Sequence, residues 1–163
     1  NNKTKPKNIM PNWCHTTLNV EGSKEQIKEF SSLVSRAIEN NNSLCNAIIP
    51  RPASEEDNWY DWNITNWGSK WDVTDMFVEY EDDINLNLTF ATAWSPITPI
   101  FDELVKRGFK VKAEYQDEGY MFAGEYEDGN ETDFEILVCE DCQELDEPNY
   151  ECKCEGNGVI ILR

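Results

Sequence analysis

A chain of 163 residues, 39% apolar and 12% aromatic, is long enough for one domain with its own core and too rich in core formers to stay disordered. It has no run of about 18 apolar residues and no basic stretch leading into an apolar one, which points to a soluble intracellular protein without a membrane span or secretory leader. The formal net charge is −18; half of the 32 acidic residues fall within 114–155, where Lys153 is the only base, and such a field repels phosphate backbones while attracting basic surfaces, so direct nucleic-acid binding is disfavoured.

The opening "NNKTKPKNI" is polar and reads as a flexible lead-in over 1–9. "TTLNVEG" at 16–22 alternates Leu18 and Val20 with polar neighbours and stops at Gly22, the pattern of a half-buried strand. Ser23 and Gln26 form a capping box for a helix that carries Ile27, Phe30, Leu33, Val34, Ala37 and Ile38 along one face. From Leu44 to Lys70 no period is sustained, so 44–70 reads as a long Trp-rich loop, either functional or packed on itself. Thr74, Met76, Val78 and Tyr80 alternate with polar residues, "EDD" turns the chain, and Ile84, Leu86, Leu88 and Phe90 alternate again, predicting a hairpin with one buried face. In "WSPITPIFDELVKRG", Ser95 caps and Pro96 opens a second helix, with Ile97, Ile100, Phe101, Leu104 and Val105 on one face and Gly108 at its end. Phe109, Val111, Ala113 and Tyr115 form the next strand. "YMFAGEY" and "DFEILV", joined through Asp128-Gly129, extend the sheet.

The order strand, helix, strand, strand, helix, strand predicts an α+β, ferredoxin-like β-α-β-β-α-β sheet with two helices on one face, extra C-terminal strands and a Cys-rich hairpin. The ferredoxin-like domain is expected over 10–138 and an acidic, Cys-rich segment over 139–163. Four segments, "MPNWCHTTLNVEG" at 10–22, "NWGSKWD" at 66–72, "TAWSP" at 92–96 and "YQDEGYMFAG" at 115–124, resemble the YubB-type ferredoxin-like proteins of plasmids and bacteriophages. Thr16, Ser69 and Ile97 stand where that family usually has Asn, Thr and Pro. The resemblance implies the ferredoxin-like fold, a mobile-element origin and hence the cytoplasm of a bacterial host. It implies no biochemical activity.

Cys139 and Cys142 form C-x2-C, and Cys152 and Cys154 form C-x-C. In an intracellular chain, four such Cys point to a structural zinc knuckle ahead of free or redox-active thiols and disulfides, because four thiolates close a tetrahedral site and leave no position for substrate. The lone His15 follows Cys14; on a strand the two point to opposite faces and cannot form a nucleophile and base pair. Trp59, Trp62, Trp67, Trp71 and Trp94 are expected to form a satellite core under the long loop, with exposure of some as partner anchors the competing reading. An RNA-stacking platform of Phe77 with Tyr115 or Tyr120 would need a basic rim, which is missing.

No phosphate-cradling Gly loop, Ser-His-Asp order or metalloprotease motif occurs, so the expected class is non-enzymatic. The leading expectation is an interaction protein of a phage or other mobile element. It would inhibit a host defence system, of anti-CRISPR or anti-restriction type, by presenting an acidic, DNA-mimicking surface to a basic, nucleic-acid-binding host effector. Glu140, Asp141, Glu144, Asp146 and Glu147 are the first partner-binding residues to test. The alternatives are a zinc-stabilised nucleic-acid-binding or regulatory module and an enzyme with a site in the Trp-rich loop.

Overall fold

The computed structural model describes residues 11–144 and 151–163, and their fold is organised around β1 (Trp13–Glu21). Cys14, Thr16, Leu18 and Val20 are buried while His15 and Thr17 are exposed, so one side of the sheet joins the core and the other stays open. β1 pairs antiparallel with β3 (Asn85–Ala93) on one side and β4 (Lys110–Asp117) on the other. With β2 (Thr74–Glu81), β5 (Ala123–Glu127) and β6 (Asn130–Asp133) the order is β2-β3-β1-β4-β5-β6. The lead-in expected over 1–9 lies outside the described residues.

α1 (Lys24–Glu39) begins at the predicted capping box: Ser23 Oγ accepts from Gln26 N at 3.2 Å, and Gln26 Oε1 accepts from Ser23 N at 2.9 Å. Its Ile27, Phe30, Val34 and Ala37 share the core with Ile100, Phe101 and Leu104 of α4 (Thr98–Lys106). The predicted start of α4 is corrected: Ile97 caps it, and Pro99 occupies its first turn. Ser95 instead donates through Oγ to the Gly68 carbonyl at 2.5 Å, tying the segment before α4 to a distant turn.

The stretch 44–70 is not an unstructured loop. It holds α2 (Leu44–Ile48), a 3-10 helix (Ala53–Asn58) and α3 (Trp59–Trp67), each too short for a 3.6-residue period to accumulate. "NWGSKWD" is the clasp that fastens them. Gly68, at φ 78°, ends α3 in the left-handed region, and a Cβ there would come within 2.9 Å of Pro99. Trp67 Nε1 donates to the Ile49 carbonyl at 2.9 Å, and Asn63 Nδ2 donates to the Lys70 carbonyl at 2.8 Å. Ser43 makes no side-chain cap for α2; the Asp72 carboxylate does so from 26 to 27 positions away, accepting from Cys45 N at 2.8 Å and Asn46 N at 2.9 Å. Burial raises the Asp72 pKa above its ordinary value, and those N–H bonds oppose the shift.

β2 departs from its predicted alternation: Met76 is buried, but Val78 and Tyr80 are exposed. Register shifts between Thr74 and Phe77 and between Val78 and Tyr80 reset the faces, and Asp75 sits at φ 51°. Such irregularities suit an edge strand, where a flat ladder would invite pairing with another chain. At the other edge, Asp128 at φ 46° and Gly129 at φ 99° make the predicted β5–β6 turn. "DFEILV" does not extend this sheet as one strand, because β7 (Glu135–Val138) leaves it to pair with β8 (Val159–Leu162).

Tyr115 reaches across β5 at Gly124, where an added Cβ would lie 2.6 Å from the Thr132 carbonyl oxygen and 2.9 Å from Tyr115 Oη. Gly124→Ala is therefore expected to cost about 1–3 kcal/mol by pushing β6 from β5. Urea denaturation checks this, and an unchanged midpoint at constant slope would refute the close approach.

Candidate metal centre

β7 and β8 form a two-stranded antiparallel ladder that brings the two Cys pairs together. Cys139 follows β7, and its N–H donates to the Gly158 carbonyl at 2.9 Å, just before β8. α5 (Glu140–Glu144) turns Cys142 back toward it. On the other arm, Glu155 N bonds the Cys152 carbonyl at 3.0 Å and Asn157 N the Cys154 carbonyl at 3.0 Å; these two turns curl the C-x-C pair inward. Glu155, Gly156 and Gly158 all carry positive φ. The two glycines take that conformation without steric cost, which explains why a loop this tight contains them.

The four Sγ atoms lie within 4.8 Å of one another. Individual separations are 3.8 Å for Cys139–Cys152, 3.4 Å for Cys142–Cys152, 3.2 Å for Cys142–Cys154 and 2.8 Å for Cys152–Cys154. Cys139 and Cys154 are buried and Cys142 and Cys152 half-buried, and no disulfide joins any of the four. Hydrogen bonding from Cys152, then from Cys142 and Cys139, holds the Cys154 thiol down at about 6 against desolvation, so it is a thiolate at neutral pH. Four convergent sulfurs with a preformed thiolate can hold a metal ion.

All four Cys predicted from spacing are thus brought together. Among the predicted partner-binding acids, Glu140 and Asp141 are exposed in the first turn of α5. The Glu144 side chain, Asp146 and Glu147 lie outside the described residues. Cys14 is fully buried, which pushes its thiol up to about 11, and His15 points to the open side as expected.

The Trp set does not form a single satellite core. Trp67 is 4% exposed, and Trp62 packs edge-on against it with centroids 5.6 Å apart. Trp59, Trp71 and Trp94 are 36%, 39% and 47% exposed. α3 turns only Asn63 and Trp67 fully inward, leaving Trp59 a turn beyond the core edge. Trp71 lies on the surface against Trp13, with Lys70 Nζ 4.5 Å from its ring centroid. Trp94 sits at φ 71°. The stacking platform also fails in part: Phe77 is on the open side, but Tyr115 is buried.

Sequence reasoning missed a concavity of about 550 Å³ on that open side, whose lining includes His15, Phe77, Glu114, Phe134 and Arg163. The outward positions of β1 and β4 were the available signal. Among the described residues no helix is long and apolar enough to cross a membrane. No protein-family model, curated protein or solved structure matches this chain.

Proposed function

We propose that the chain is a zinc-stabilised, non-catalytic interaction protein that presents an acidic surface to a basic partner. The observation that carries it is the closed cluster of four sulfurs inside the most acidic part of the chain. Zinc–thiolate bonds of about 2.3 Å give sulfur separations of about 3.8 Å, so the Cys139–Cys152 spacing fits and the shorter ones need only open by up to about 1 Å. Four protein ligands leave no open position, so the ion would order the hairpin without activating water. Zinc with four thiolates would also carry a net charge of about −2, deepening the field around Glu140 and Asp141.

Further support comes from the exposed, weakly neutralised acids beside the hairpin. Glu127, Glu131, Asp133 and Glu135 are exposed, and among the described residues none of them makes an ion pair. Such rows steer a basic protein and occupy the surface it would use for phosphates. The strand order β2-β3-β1-β4, with α1 and α4 on the connections, supports a ferredoxin-like reading of the main sheet; the resemblance of four segments to proteins of phages and plasmids is a separate premise, carried by the sequence alone. On that premise the partner is a nucleic-acid-binding defence effector of the bacterial host, inhibited by mimicry of DNA.

The test is a pull-down from bacterial lysate at low salt with wild type and a Glu131→Lys, Glu135→Lys, Glu140→Lys, Asp141→Lys variant. A basic, stoichiometric partner is expected that is released by salt, lost with the variant and displaced from DNA by the wild-type protein. Equal retention by the reversed variant, or no basic partner at low salt, refutes the reading.

A further inference from the structure

The open side of the main sheet carries a second feature, distinct from the Cys cluster. Register places Phe77 beside Thr89, Thr89 beside Thr17, and Thr17 beside Glu114, so these four side chains cross the sheet in one row. Asp75 and Glu79 of β2 lie along the same concavity, which puts carboxylates on both of its sides. Phe77 is 52% exposed, an aromatic side chain at the sheet edge with no second aromatic ring against it among the described residues. On the floor, Thr89 Oγ1 is shielded from solvent and lacks a hydrogen-bond partner among the described residues.

The only Lys or Arg in this lining is Arg163. Its Nε lies 3.4 Å from Glu114 Oε2, and its guanidinium stands 5.9 Å from the Phe134 ring centroid. A carboxylate and an aromatic face are the two groups that recognise a guanidinium. Both side chains of the ion pair are about half exposed, so the contact is weak and readily exchanged. The chain thus places its own arginine where an arginine from outside would fit.

We propose that this open sheet face is a docking groove for an extended, arginine-bearing segment of a protein partner, and that Arg163 holds the guanidinium seat until the segment displaces it. The inference rests on the basic-partner reading and names the chemistry by which such a partner is held. Glu114 takes the guanidinium, Asp75 and Glu79 take neighbouring cationic groups, Phe77 and Phe134 flank the chain, and Thr89 Oγ1 is an acceptor at the base. The acidic lining disfavours a phosphate backbone as occupant.

The test is fluorescence anisotropy of a labelled oligoarginine peptide, with an oligolysine peptide in parallel, on the full zinc-loaded chain. Oligoarginine is expected to bind more tightly than oligolysine. Glu114→Gln should weaken it about tenfold and Phe77→Ala several-fold. Arg163→Ala should tighten binding several-fold, whereas Lys28→Ala on exposed α1, which removes the same charge, should not. If Glu114→Gln and Phe77→Ala leave the affinity unchanged while Glu131→Gln lowers it, the groove is refuted and the acidic-surface reading stands. If the lysate pull-down succeeds but neither peptide binds, the groove again falls alone. Phe77-dependent binding of single-stranded RNA, or Phe77-dependent dimerisation seen by sedimentation, assigns the face to another occupant and overturns the proposal.

Discussion

One zinc ion per chain is expected after purification under reducing conditions, read directly by native mass spectrometry. The expected effect of removing it is large because the hairpin has little else to hold it. Leu137, Val138 and Leu162 are 40%, 59% and 47% exposed, and a two-stranded ladder is marginal in water without a core. Tetrathiolate zinc contributes about 10–16 kcal/mol in small zinc-dependent folds, enough to decide whether such a hairpin forms at all. Chelation or Cys154→Ser should therefore abolish amide protection in β7 and β8 while leaving β1, β3 and β4 protected, since their buried side chains lie in the main core. Binding should weaken as the pH falls below the ordinary thiol range, where protons compete with the metal for Cys139, whose pKa is raised, and more steeply below about 6, where Cys154 also takes up a proton. An apo mass under reducing conditions, with the hairpin still protected, would rule the metal out.

Trp67→Ala is expected to cost about 3–5 kcal/mol, and Trp71→Ala no more than about 1 kcal/mol. The two indoles are four positions apart in "NWGSKWD", yet their surroundings differ. Trp67 is buried against Trp62, with Arg51 5.9 Å from its ring centroid and its N–H satisfied by Ile49. Truncation there opens a cavity and strands an acceptor beneath the clasp. Trp71 is 39% exposed, and its aromatic and cation–π contacts are with Trp13 and Lys70 on the surface. Urea unfolding followed by circular dichroism separates the cases. Equal losses for both variants would mean that the surface indole is also part of the core.

Much of the main sheet was legible because its signals are local and repeated. Ser23 with Gln26, the alternation through Leu86, Leu88 and Phe90, and the Asp128-Gly129 turn each report a backbone state within a few residues. The Cys cluster was legible for the same reason, since two short spacings bring two pairs of sulfurs into reach. What escaped was non-local. Asp72 caps α2 across 26 to 27 positions, Ser95 bonds Gly68 where a cap for its own helix was expected, and the β2 bulges move Val78 and Tyr80 into solvent. The groove was hidden because its members come from β1, β2, β3, β4 and the residues around the second ladder, and no window contains them together.

Phe134 stands between β6 and β7, with its N–H bonded to the Ala123 carbonyl at 2.8 Å, and Arg163 directly follows β8. The small ladder is therefore bracketed by the two residues that meet over the sheet. A clamp built in this way transmits load in both directions. With an ion bound by the four Cys, any coupling between it and a ligand that draws Arg163 away would be reciprocal: each would change the affinity for the other by the same factor.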